Sequence, residues 1–461
     1  MFTDNNSNLK PTLIVAKFGG TSVADYQAMC RCAHIINNDP ANRVVVVSAS
    51  SGVTNQLVRL SQANITEDEQ LMIIEKIRKI QLNISQHLAN ERQVNEVVDK
   101  LLTQLTVHAS NQSTHYSAQT ADTILSYGEQ LSSFLFTEVL LSLAIAAQCF
   151  DIRQVMKTNS VYGKAVVDIK QLKHQVKSIL ASKLDIGIES DVIVTQGFIG
   201  QDALGNTTTL GRGGSDYSAA LLAEALNAKQ LAIWTDVVGI FTTDPRITSK
   251  ARAIDEISFG EAAEMATFGA KILHPATLIP AMRHNIPVFV GSSKEPEKGG
   301  THIKHQVESN PTFRSIALRR EQTLVTVKSP AMLHASGFLA KVFSILAKHE
   351  LSVDLITTSE ISVALTFDNP TGSTQALITN AVVQELEQLC EVTVEHGLSL
   401  VAVIGNKLNS TSGIGRSIFE KIADVNIRMI CHGASANNLC FLVDEGDANK
   451  VVEKLHNTLF A

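Results

Sequence analysis

The chain has 461 residues, of which 44% are hydrophobic and 18% charged, an ordinary composition for a folded protein of about three domains. This size and composition exclude a peptide ligand, a small disulfide-stabilised module and a wholly disordered chain. The 39 Lys and Arg against 45 Asp and Glu give a net charge of −6, which argues against nucleic acid as the main partner.

The six cysteines are scattered, with no CxxC pair and no His spacing typical of a zinc site. We therefore expect reduced thiols and no metal held by protein ligands. The first twelve residues lack the pattern of a signal peptide, and the most apolar later run, Val139 to Ala147, is far shorter than the ~18 residues that span a bilayer. These features predict a soluble cytoplasmic protein that is not bound to membranes.

Two similar strand, loop and helix units open the chain. The first strand is predicted from Leu13 to Phe18, ending at Gly19 and Gly20, after which a helical pattern begins. The second is Val44 to Val47, four consecutive valines typical of a strand buried on both faces, and the polar loop Ser48 to Gly52 follows it. Such units are typical of a parallel sheet.

The remaining part of the first 300 residues continues this alternation. Between about residues 65 and 121 the apolar residues fall at helical spacing without a strand signal, which predicts a helical excursion. Short apolar runs at 192–194, 231–234 and 287–290 are separated by stretches long enough for helices. We predict an α/β domain over residues 1–300, with a mostly parallel sheet covered by helices.

The polar Pro/Gly stretch at 294–300 resembles a linker, and an internal repeat follows it. The run TLVTV at 323–327 corresponds to SLVAV at 399–403, an offset of about 75 residues, and each is followed by a glycine-started helix and more strands. Each copy fits an α+β fold of ferredoxin-like type. We predict a linker and first copy over 301–395 and a second copy over 396–461.

Three glycine- and hydroxyl-rich loops follow predicted strands or open helices: 17–22, 48–54 and 211–216. Ligands bind beyond the carboxyl ends of parallel strands, where helix N-termini present N–H groups to anions. Lys17 and Arg212 add cations to two of these loops, so we predict a phosphate or carboxylate site. Neither a P-loop nor a dinucleotide-binding fingerprint is present.

Other polar residues have simpler explanations when their patterns are considered alone. Glu129 follows Gly128 and fits a carboxylate at a helix N-terminus, and Lys271 fits a cation near a helix C-terminus. His274 fits a packing role. A structural turn explains Asp244 but leaves Arg246 unexplained.

Seven motifs together resemble the aspartokinase family: KFGGTSV, SASSGVTN, TQGFIG, TTTLGRGGSDY, WTDVVGIFTTDPR, EAAEMATFGAKILHPAT and VDLITTSE. Two motifs near the C-terminal end, MLHASGFLAKVF and SVDLITTSE, are most similar to the monofunctional lysine-sensitive type. The resemblance runs nearly end to end. It implies an amino-acid-kinase fold followed by two ACT domains. It also implies the reaction of ATP with L-aspartate to give ADP and 4-phospho-L-aspartate, with Mg²⁺ as cofactor, as the first step of lysine, threonine and methionine biosynthesis.

The resemblance also implies roles for individual residues. Lys17, Asp216 and Lys271 would be catalytic. The aspartate would contact Ser48, Thr54, Glu129, Arg212 and Ser215, with Glu129 on its amine and Arg212 on its α-carboxylate. The nucleotide would contact Lys17, Gly19, Gly20, Thr235, Asp236, Phe241, Arg246 and Lys271. At position 241 relatives often carry tyrosine, so a hydroxyl is lost here while an aromatic face remains.

Feedback inhibition by L-lysine, bound between the ACT domains of paired subunits, is a further implication of the resemblance, with a homodimer or homotetramer formed through these domains. The matching positions are Met332, Gly337, Phe338, Leu339, Ser352, Val353, Asp354, Thr358, Ser359 and Glu360. Asp354 and Glu360 suit a diamino acid, because buried ammonium groups need anionic or carbonyl partners. Ala335 replaces an expected hydroxyl residue and leaves the strength of lysine binding open.

Two other functions are compatible with these patterns. One is a kinase of the same fold acting on glutamate, carbamate or a nucleotide. The other is an amino-acid sensor without catalysis, which would use only the repeated C-terminal domains. The sensor without catalysis is disfavoured because the candidate catalytic and binding residues are all present: Lys17, Glu129, Arg212, Asp216 and Lys271.

Overall fold

A computed structural model describes residues 13–184, 191–269, 275–333, 336–368 and 377–460. They divide into two compact units. The first contains the described parts of Met1–Ile240, Ala253–Phe259 and Ile272–Val307, and the second those of Phe241–Arg252, Gly260–Lys271 and Glu308–Ala461.

The first unit is built on an eight-stranded sheet with the order β3-β4-β2-β1-β7-β9-β10-β8. The strands are β1 (Ile14–Phe18), β2 (Asn42–Val47), β3 (Ala147–Phe150), β4 (Val192–Gln196), β5 (Ile199–Gln201), β6 (Thr207–Thr209), β7 (Gln230–Thr235), β8 (Glu256–Ser258), β9 (Val288–Ser292) and β10 (Gly300–Lys304). Strands β5 and β6 form a separate antiparallel pair. Within the sheet only β9 and β10 pair in antiparallel fashion, so the predicted mostly parallel sheet is confirmed.

Long helices between the strands confirm the predicted helical excursion. The helices up to Arg283 are α1 (Tyr26–Asn37), α2 (Val53–Leu60), α3 (Glu67–Ser85), α4 (Glu91–Thr114), α5 (Ala118–Ser142), α6 (Ile169–Gln175), α7 (Gly214–Leu226), α8 (Phe259–Phe268) and α9 (Pro275–Arg283). Of these, α8 belongs to the second unit from Gly260 onward. Side-chain caps at Asp25, Thr66 and Ser117 satisfy N–H groups at the starts of α1, α3 and α5.

The alternation of side chains along β1 positions the site. Ala16 and Phe18 point into a core formed with helices α1 to α5, where both are fully buried. Lys17 therefore points to the opposite face of the sheet, which α7 covers. The valines of β2 are buried on both faces, as the run of four valines predicts.

The second unit contains the internal repeat as a six-stranded sheet of order β12-β13-β11-β14-β16-β15. Its strands are β11 (Phe313–Lys328), β12 (Ile356–Thr358), β13 (Ser362–Asp368), β14 (Glu391–Gly405), β15 (Ile427–His432) and β16 (Asn438–Asp444). Its helices are α10 (Phe338–Lys348), α11 (Asn380–Glu387), α12 (Ile414–Phe419) and α13 (Ala448–Leu459). The two α+β copies are thus confirmed.

Strands β11 and β14 each take part in both copies. Val325 and Val327 of β11 pack with α10 and α11 in one core, whereas Ile316, on the same strand, packs with α12 and α13 in the other. In β14, Val392 and Val394 contact the first core and Val401 belongs to the second. Residues 315–319 of β11 accordingly pair with the second half of β14. The bounds 301–395 and 396–461 remain predictions, because neighbouring copies exchange strand halves across them.

Candidate active site

The first two predicted loops meet beyond the ends of β1 and β2. The Ser48 N–H donates to the Phe18 carbonyl at 3.1 Å, and the Ser51 N–H donates to the Gly20 carbonyl at 3.0 Å. A Cβ atom at Gly20 would lie 2.7 Å from the Ala49 carbonyl oxygen, so only glycine permits this approach. These hydrogen bonds hold the two loops against each other.

The third loop reaches the same place through an ion pair. Lys17 Nζ lies 2.5 Å from Asp216 Oδ1, in the first turn of α7. Lys17 is only 8% exposed, so its ammonium group is directed into the site and not to solvent. Gly213, the N-cap residue directly before α7, has a left-handed conformation (φ +73°). Residues 17 and 216, distant in sequence, are thereby brought together.

Glu129 joins this cluster from the middle of a helix. The prediction from its pattern, a carboxylate at a helix N-terminus, is wrong, because α5 begins at Ala118, eleven residues earlier. Glycine at position 128 allows close packing instead: a Cβ atom there would lie 2.6 Å from the Ala49 Cβ. Glu129 is 6% exposed and accepts a hydrogen bond from the Ala49 N–H.

Burial controls the protonation of Glu129. Loss of water raises the pKa of Glu129 to about 8, although the Ala49 N–H and the nearby charge of Lys17 oppose the change. In the free protein the carboxyl is therefore largely protonated at neutral pH. A cationic group arriving beside it would favour the carboxylate and release the proton.

The predicted substrate-side residues differ in exposure. Arg212 is exposed and forms no ion pair among the described residues, and it stands between Gly211 and Gly213, both with positive φ. Ser215 packs against the end of β4, where a Cβ at Gly197 would lie 2.5 Å from its Cβ. The carbonyl of Ser48 accepts a hydrogen bond from Ser132 at 2.8 Å. Thr54 is exposed in the first turn of α2.

The sequence analysis did not single out Ser50 within its loop. Its hydroxyl is buried and has no hydrogen-bond partner among the described residues. A buried, unpaired hydroxyl costs free energy unless a ligand or water satisfies it. The side chain therefore supports a polar ligand at this loop.

A chain of hydroxyl contacts links the ends of β1, β7 and β9. The Ser22 and Ser293 oxygens lie 2.6 Å apart, and the Ser293 N–H donates to the Thr235 carbonyl at 2.8 Å. The Gly19 N–H donates to the Trp234 carbonyl at 3.0 Å. Ser22 lies in the predicted loop 17–22, whereas Ser293 was missed in the sequence, although a serine directly after a strand of a parallel sheet is a usable signal.

The remaining nucleotide-side residues do not all belong to this cluster. Asp236 is exposed and accepts a hydrogen bond from the Thr235 hydroxyl at 3.2 Å. Phe241 and Arg246 belong to the second unit. Arg246 is 89% exposed and binds Asp244 at 2.7 Å, which gives it a local partner that the turn pattern did not predict. Lys271 and His274 lie outside the described residues.

The positions predicted for lysine surround the start of α10 and the strand β12. Gly337 has φ +86° and precedes Phe338, the first residue of α10. Asp354 lies 3.4 Å from Arg319 and its side chain is 22% exposed. The Ser359 and Ser362 hydroxyls are 2.7 Å apart.

Other predicted lysine contacts provide apolar surface or exposed polar groups. Met332, Phe338 and Val353 pack against the first core of the repeat. Leu339, Ser352, Thr358 and Glu360 are exposed. Ala335 lies outside the described residues. The described positions thus offer a carboxylate, hydroxyls and an apolar wall.

Comparison with known proteins identifies the two folds. Residues 12–292 match the amino acid kinase family, and residues 401–459 match an ACT domain. Within the part of the chain that the structure describes, no helix is both long and apolar enough to cross a membrane.

Individual relatives match almost the whole chain. Lysine-sensitive aspartokinase 3 of Escherichia coli is 52% identical over 451 residues, covering 97% of this chain and 99% of the relative. Aspartokinase 1 of Arabidopsis thaliana, a chloroplastic protein, is 33% identical over 97% of this chain and 80% of its own.

Solved structures agree. The crystal structure of E. coli aspartokinase III with aspartate and ADP, in the R-state, has a TM-score of 0.88 at 52% identity and covers 97% of this chain and 100% of that one. The same enzyme with lysine and aspartate, in the T-state, has a TM-score of 0.84 at 53% identity, covering 98% and 100%. The chain therefore belongs to the aspartokinases, within the amino acid kinase family.

Proposed function

We propose that this chain transfers the γ-phosphoryl group of ATP to the β-carboxylate of L-aspartate, giving ADP and 4-phospho-L-aspartate, and that L-lysine inhibits the reaction. The observation that carries the proposal is the cluster of Lys17, Asp216 and Glu129 where three strand-end loops converge. The aspartate and ADP held by the E. coli relative support the choice of substrates.

The chemistry requires charge neutralisation and not a general base. A β-carboxylate with an ordinary pKa near ~4 is ionised at pH 7 and is already a nucleophile. Its approach to the γ-phosphate brings two anions together in line, which positioning and electrostatic stabilisation make possible. Lys17 supplies a buried positive charge, and the buried, unpaired Ser50 hydroxyl supplies a donor without net charge.

The acceptor occupies the Glu129 side of the cluster. Glu129 binds the aspartate ammonium group, and the exposed fork of Arg212 closes on the α-carboxylate as the ligand arrives. Ser48, Thr54 and Ser215 position the β-carboxylate. Asp216 orients Lys17 through their ion pair.

The nucleotide occupies the side of Gly19 and Gly20. Those two residues, with Lys17, hold its phosphates, and Thr235 and Asp236 hold the nucleoside. From the family resemblance, Phe241, Arg246 and Lys271 complete this side.

Mg²⁺ accompanies the nucleotide in this proposal. Among the described residues no group of three His, Cys, Asp or Glu side chains is close enough to hold a metal ion by itself. Such a donor set fits an ion that binds mainly to phosphate oxygens and water and takes only one or two carboxylates from a protein. Asp216 is the carboxylate at the cluster that would hold it. When bound, the ion would neutralise charge on the transferred phosphoryl group.

Lysine inhibition depends on the second unit. Asp354 and Glu360 bind the two ammonium groups of lysine, and lysine inhibits because it binds a low-activity state more tightly than the active one. The lysine-bound relative supports this effector. Leu339 (40%), Phe343 (39%) and Ile356 (38%) are exposed on α10 and β12, which favours a homodimer or homotetramer formed through this surface.

A hydroxylamine trap tests the reaction. Acyl phosphate formed from Mg-ATP becomes a coloured hydroxamate, measured with L-aspartate, L-glutamate or no amino acid, each with and without millimolar L-lysine. We expect aspartate-dependent hydroxamate that lysine suppresses. If hydroxamate formed with glutamate and not with aspartate, glutamate would be the acceptor. If lysine did not reduce the hydroxamate formed, lysine would not be the inhibitor. No hydroxamate under any condition would favour a sensor without catalysis.

A further inference from the structure

The second unit contains a cavity of about 390 Å³ that the proposed reaction does not use. It lies between the end of α13 and residues 249–252. Lys250, Arg252, His456 and Asn457 line it, together with Phe460. No Asp or Glu is among the described residues that line this cavity, which we call the α13 cavity.

His456 is the most informative of these side chains. It is 2% exposed, and its Nε2 lies 2.8 Å from the Thr242 hydroxyl. That hydroxyl oxygen already accepts a hydrogen bond from the Arg252 N–H at 3.0 Å. Because the Thr242 hydroxyl has no other acceptor among the described residues, we assign its proton to the bond with Nε2, which places the proton of the neutral ring on Nδ1.

The resulting Nδ1–H donor is unsatisfied. His456 Nδ1 is buried and has no hydrogen-bond partner among the described residues. The ring stacks on Phe460, with centroids 4.8 Å apart and planes at 17°, so its orientation is fixed. Because leaving a buried donor unpaired is costly, this atom indicates that the α13 cavity takes a ligand with an acceptor oxygen.

The charge of the cavity specifies the ligand further. Burial and the charges of Arg252 and Lys250 lower the pKa of His456, so both cations act on the ring and the ring stays neutral at pH 7. Arg252 uses one N–H on the Phe460 carbonyl, and its other N–H groups remain for a ligand. Two cations and one N–H donor without a facing carboxylate are suited to an oxyanion.

We propose that the α13 cavity binds a small oxyanion, a phosphate or a carboxylate group, through Lys250, Arg252 and His456 Nδ1. The Asn457 Oδ1, also buried and unpaired among the described residues, accepts from a donor group on the same ligand. The site is distinct from the positions assigned above to aspartate, nucleotide and lysine.

An occupied cavity would stabilise one loop. The Thr242 N–H donates to the Arg252 carbonyl at 2.9 Å, so the two ends of segment 242–252 are joined at the cavity wall. That segment contains Arg246, and Phe241 precedes it. A ligand joining residues 250 and 252 to α13 therefore slows local opening of the segment.

Equilibrium dialysis with radiolabelled inorganic phosphate tests the proposal in the full chain. Saturating ADP blocks the nucleotide phosphate positions, and chloride keeps the ionic strength constant. Lys250→Gln removes an exposed cation, and His456→Gln removes the Nδ1 donor while retaining an amide that reaches Thr242. Lys421→Gln is the matched control, because Lys421 is an exposed cation of the same unit outside the cavity.

We expect the dissociation constant for phosphate to rise about tenfold in Lys250→Gln and in His456→Gln and to stay unchanged in Lys421→Gln. Hydrogen exchange of residues 241–252 should slow on adding phosphate in the wild type only. Malonate displacing phosphate would assign the site to carboxylates, and failure to displace it would assign the site to phosphates.

Two results would overturn the proposal: binding of neither phosphate nor malonate by the wild-type chain, or equal binding by all four proteins. Thermal unfolding checks that His456→Gln folds. If that variant does not fold, the phosphate affinity of Lys250→Gln tests the proposal. None of these readouts uses phosphoryl transfer, so the outcome is independent of the proposed reaction.

Discussion

Lys17 Nζ and Asp216 Oδ1 are 2.5 Å apart, so an ion pair joins β1 to the first turn of α7 in the candidate active site. Their side chains are 10% and 16% exposed. Removing one member leaves the other charge buried without its partner, which costs about 3 kcal/mol in such sites. The loss of folding and the loss of chemistry therefore need to be separated.

A double variant separates them. We expect Lys17→Met and Asp216→Asn each to lower the free energy of unfolding by about 3 kcal/mol, and the combination to recover most of that loss because no lone charge remains. Turnover should stay at least ~100-fold down in both Lys17→Met and the combination. Urea unfolding and the hydroxamate assay measure the two effects. Recovery of turnover in the combination would show that Lys17 acts only on folding.

Glu129 makes stability depend on pH. Its pKa is about 8 in the folded chain and 4.5 as the ordinary value, so folding takes up a proton between these pH values. The protonated Glu129 therefore contributes its whole stabilisation to the free energy of unfolding below pH 4.5, and this stabilisation is lost as pH rises through 8. We expect Glu129→Gln to remove a decline of roughly 5 kcal/mol over that range, measured by urea unfolding at several pH values. If the free energy of unfolding changed with pH in the same way in the wild type and in Glu129→Gln, the raised pKa of Glu129 would be contradicted.

The same group predicts proton release on ligand binding. An aspartate ammonium group beside Glu129 favours the carboxylate, so binding at pH 7 should release up to one proton. Calorimetric titration of the ADP-bound chain in two buffers of different ionisation enthalpy measures the number. Glu129→Gln should release none, and if it still bound aspartate with full affinity the ammonium would have another partner.

Arg212 is expected to act on affinity and not on folding. It is exposed between two glycines, so Arg212→Gln should change the free energy of unfolding by less than about 0.5 kcal/mol. The KM for aspartate should rise roughly 10- to 100-fold because a bidentate carboxylate contact is lost. Arg212→Lys keeps the positive charge but lacks the two-pronged guanidinium group, so it should recover only part of the lost affinity for aspartate. An unchanged KM would favour an acceptor that lacks an α-carboxylate, such as carbamate.

Asp354 provides a test of the lysine site. Arg319 also pairs with Asp368, so Asp354→Asn leaves no cation without a partner and should fold normally. We expect inhibition to require at least ~10-fold more lysine, with uninhibited turnover nearly intact. Glu387→Gln, an exposed carboxylate of the same unit on α11, is the control. Wild-type lysine sensitivity in Asp354→Asn would exclude the residue from the site.

Gly128 sets the distance between α5 and loop 48–52. A methyl group there meets the Ala49 Cβ at 2.6 Å and Leu57 Cδ1 at 3.1 Å, so Gly128→Ala should cost about 1–3 kcal/mol and lower kcat/KM by displacing Glu129. Gly415→Ala, also in a helix, meets only Phe419 Cδ2 at 3.9 Å and should be neutral or stabilising. Equal stability changes would show that the loop accommodates the methyl group.

Local patterns were enough to predict much of the fold. Short apolar runs located β1, β2, β4, β7 and β9, since buried parallel strands leave a strong signal. The position of Glu129 was missed because a glycine within a long helix was interpreted as a boundary, whereas its role is close packing against Ala49. The Lys17–Asp216 pair joins residues 199 positions apart in the chain, and no local pattern encodes such a contact.

The strand exchange between β11 and β14 has a consequence for the history of the repeat. Each copy completes its core with half a strand from the other, so deleting either copy would strip the survivor of apolar partners such as Ile316 or Val394. The two copies therefore depend on each other for a complete core. Descendants of this chain are expected to lose both copies together or neither.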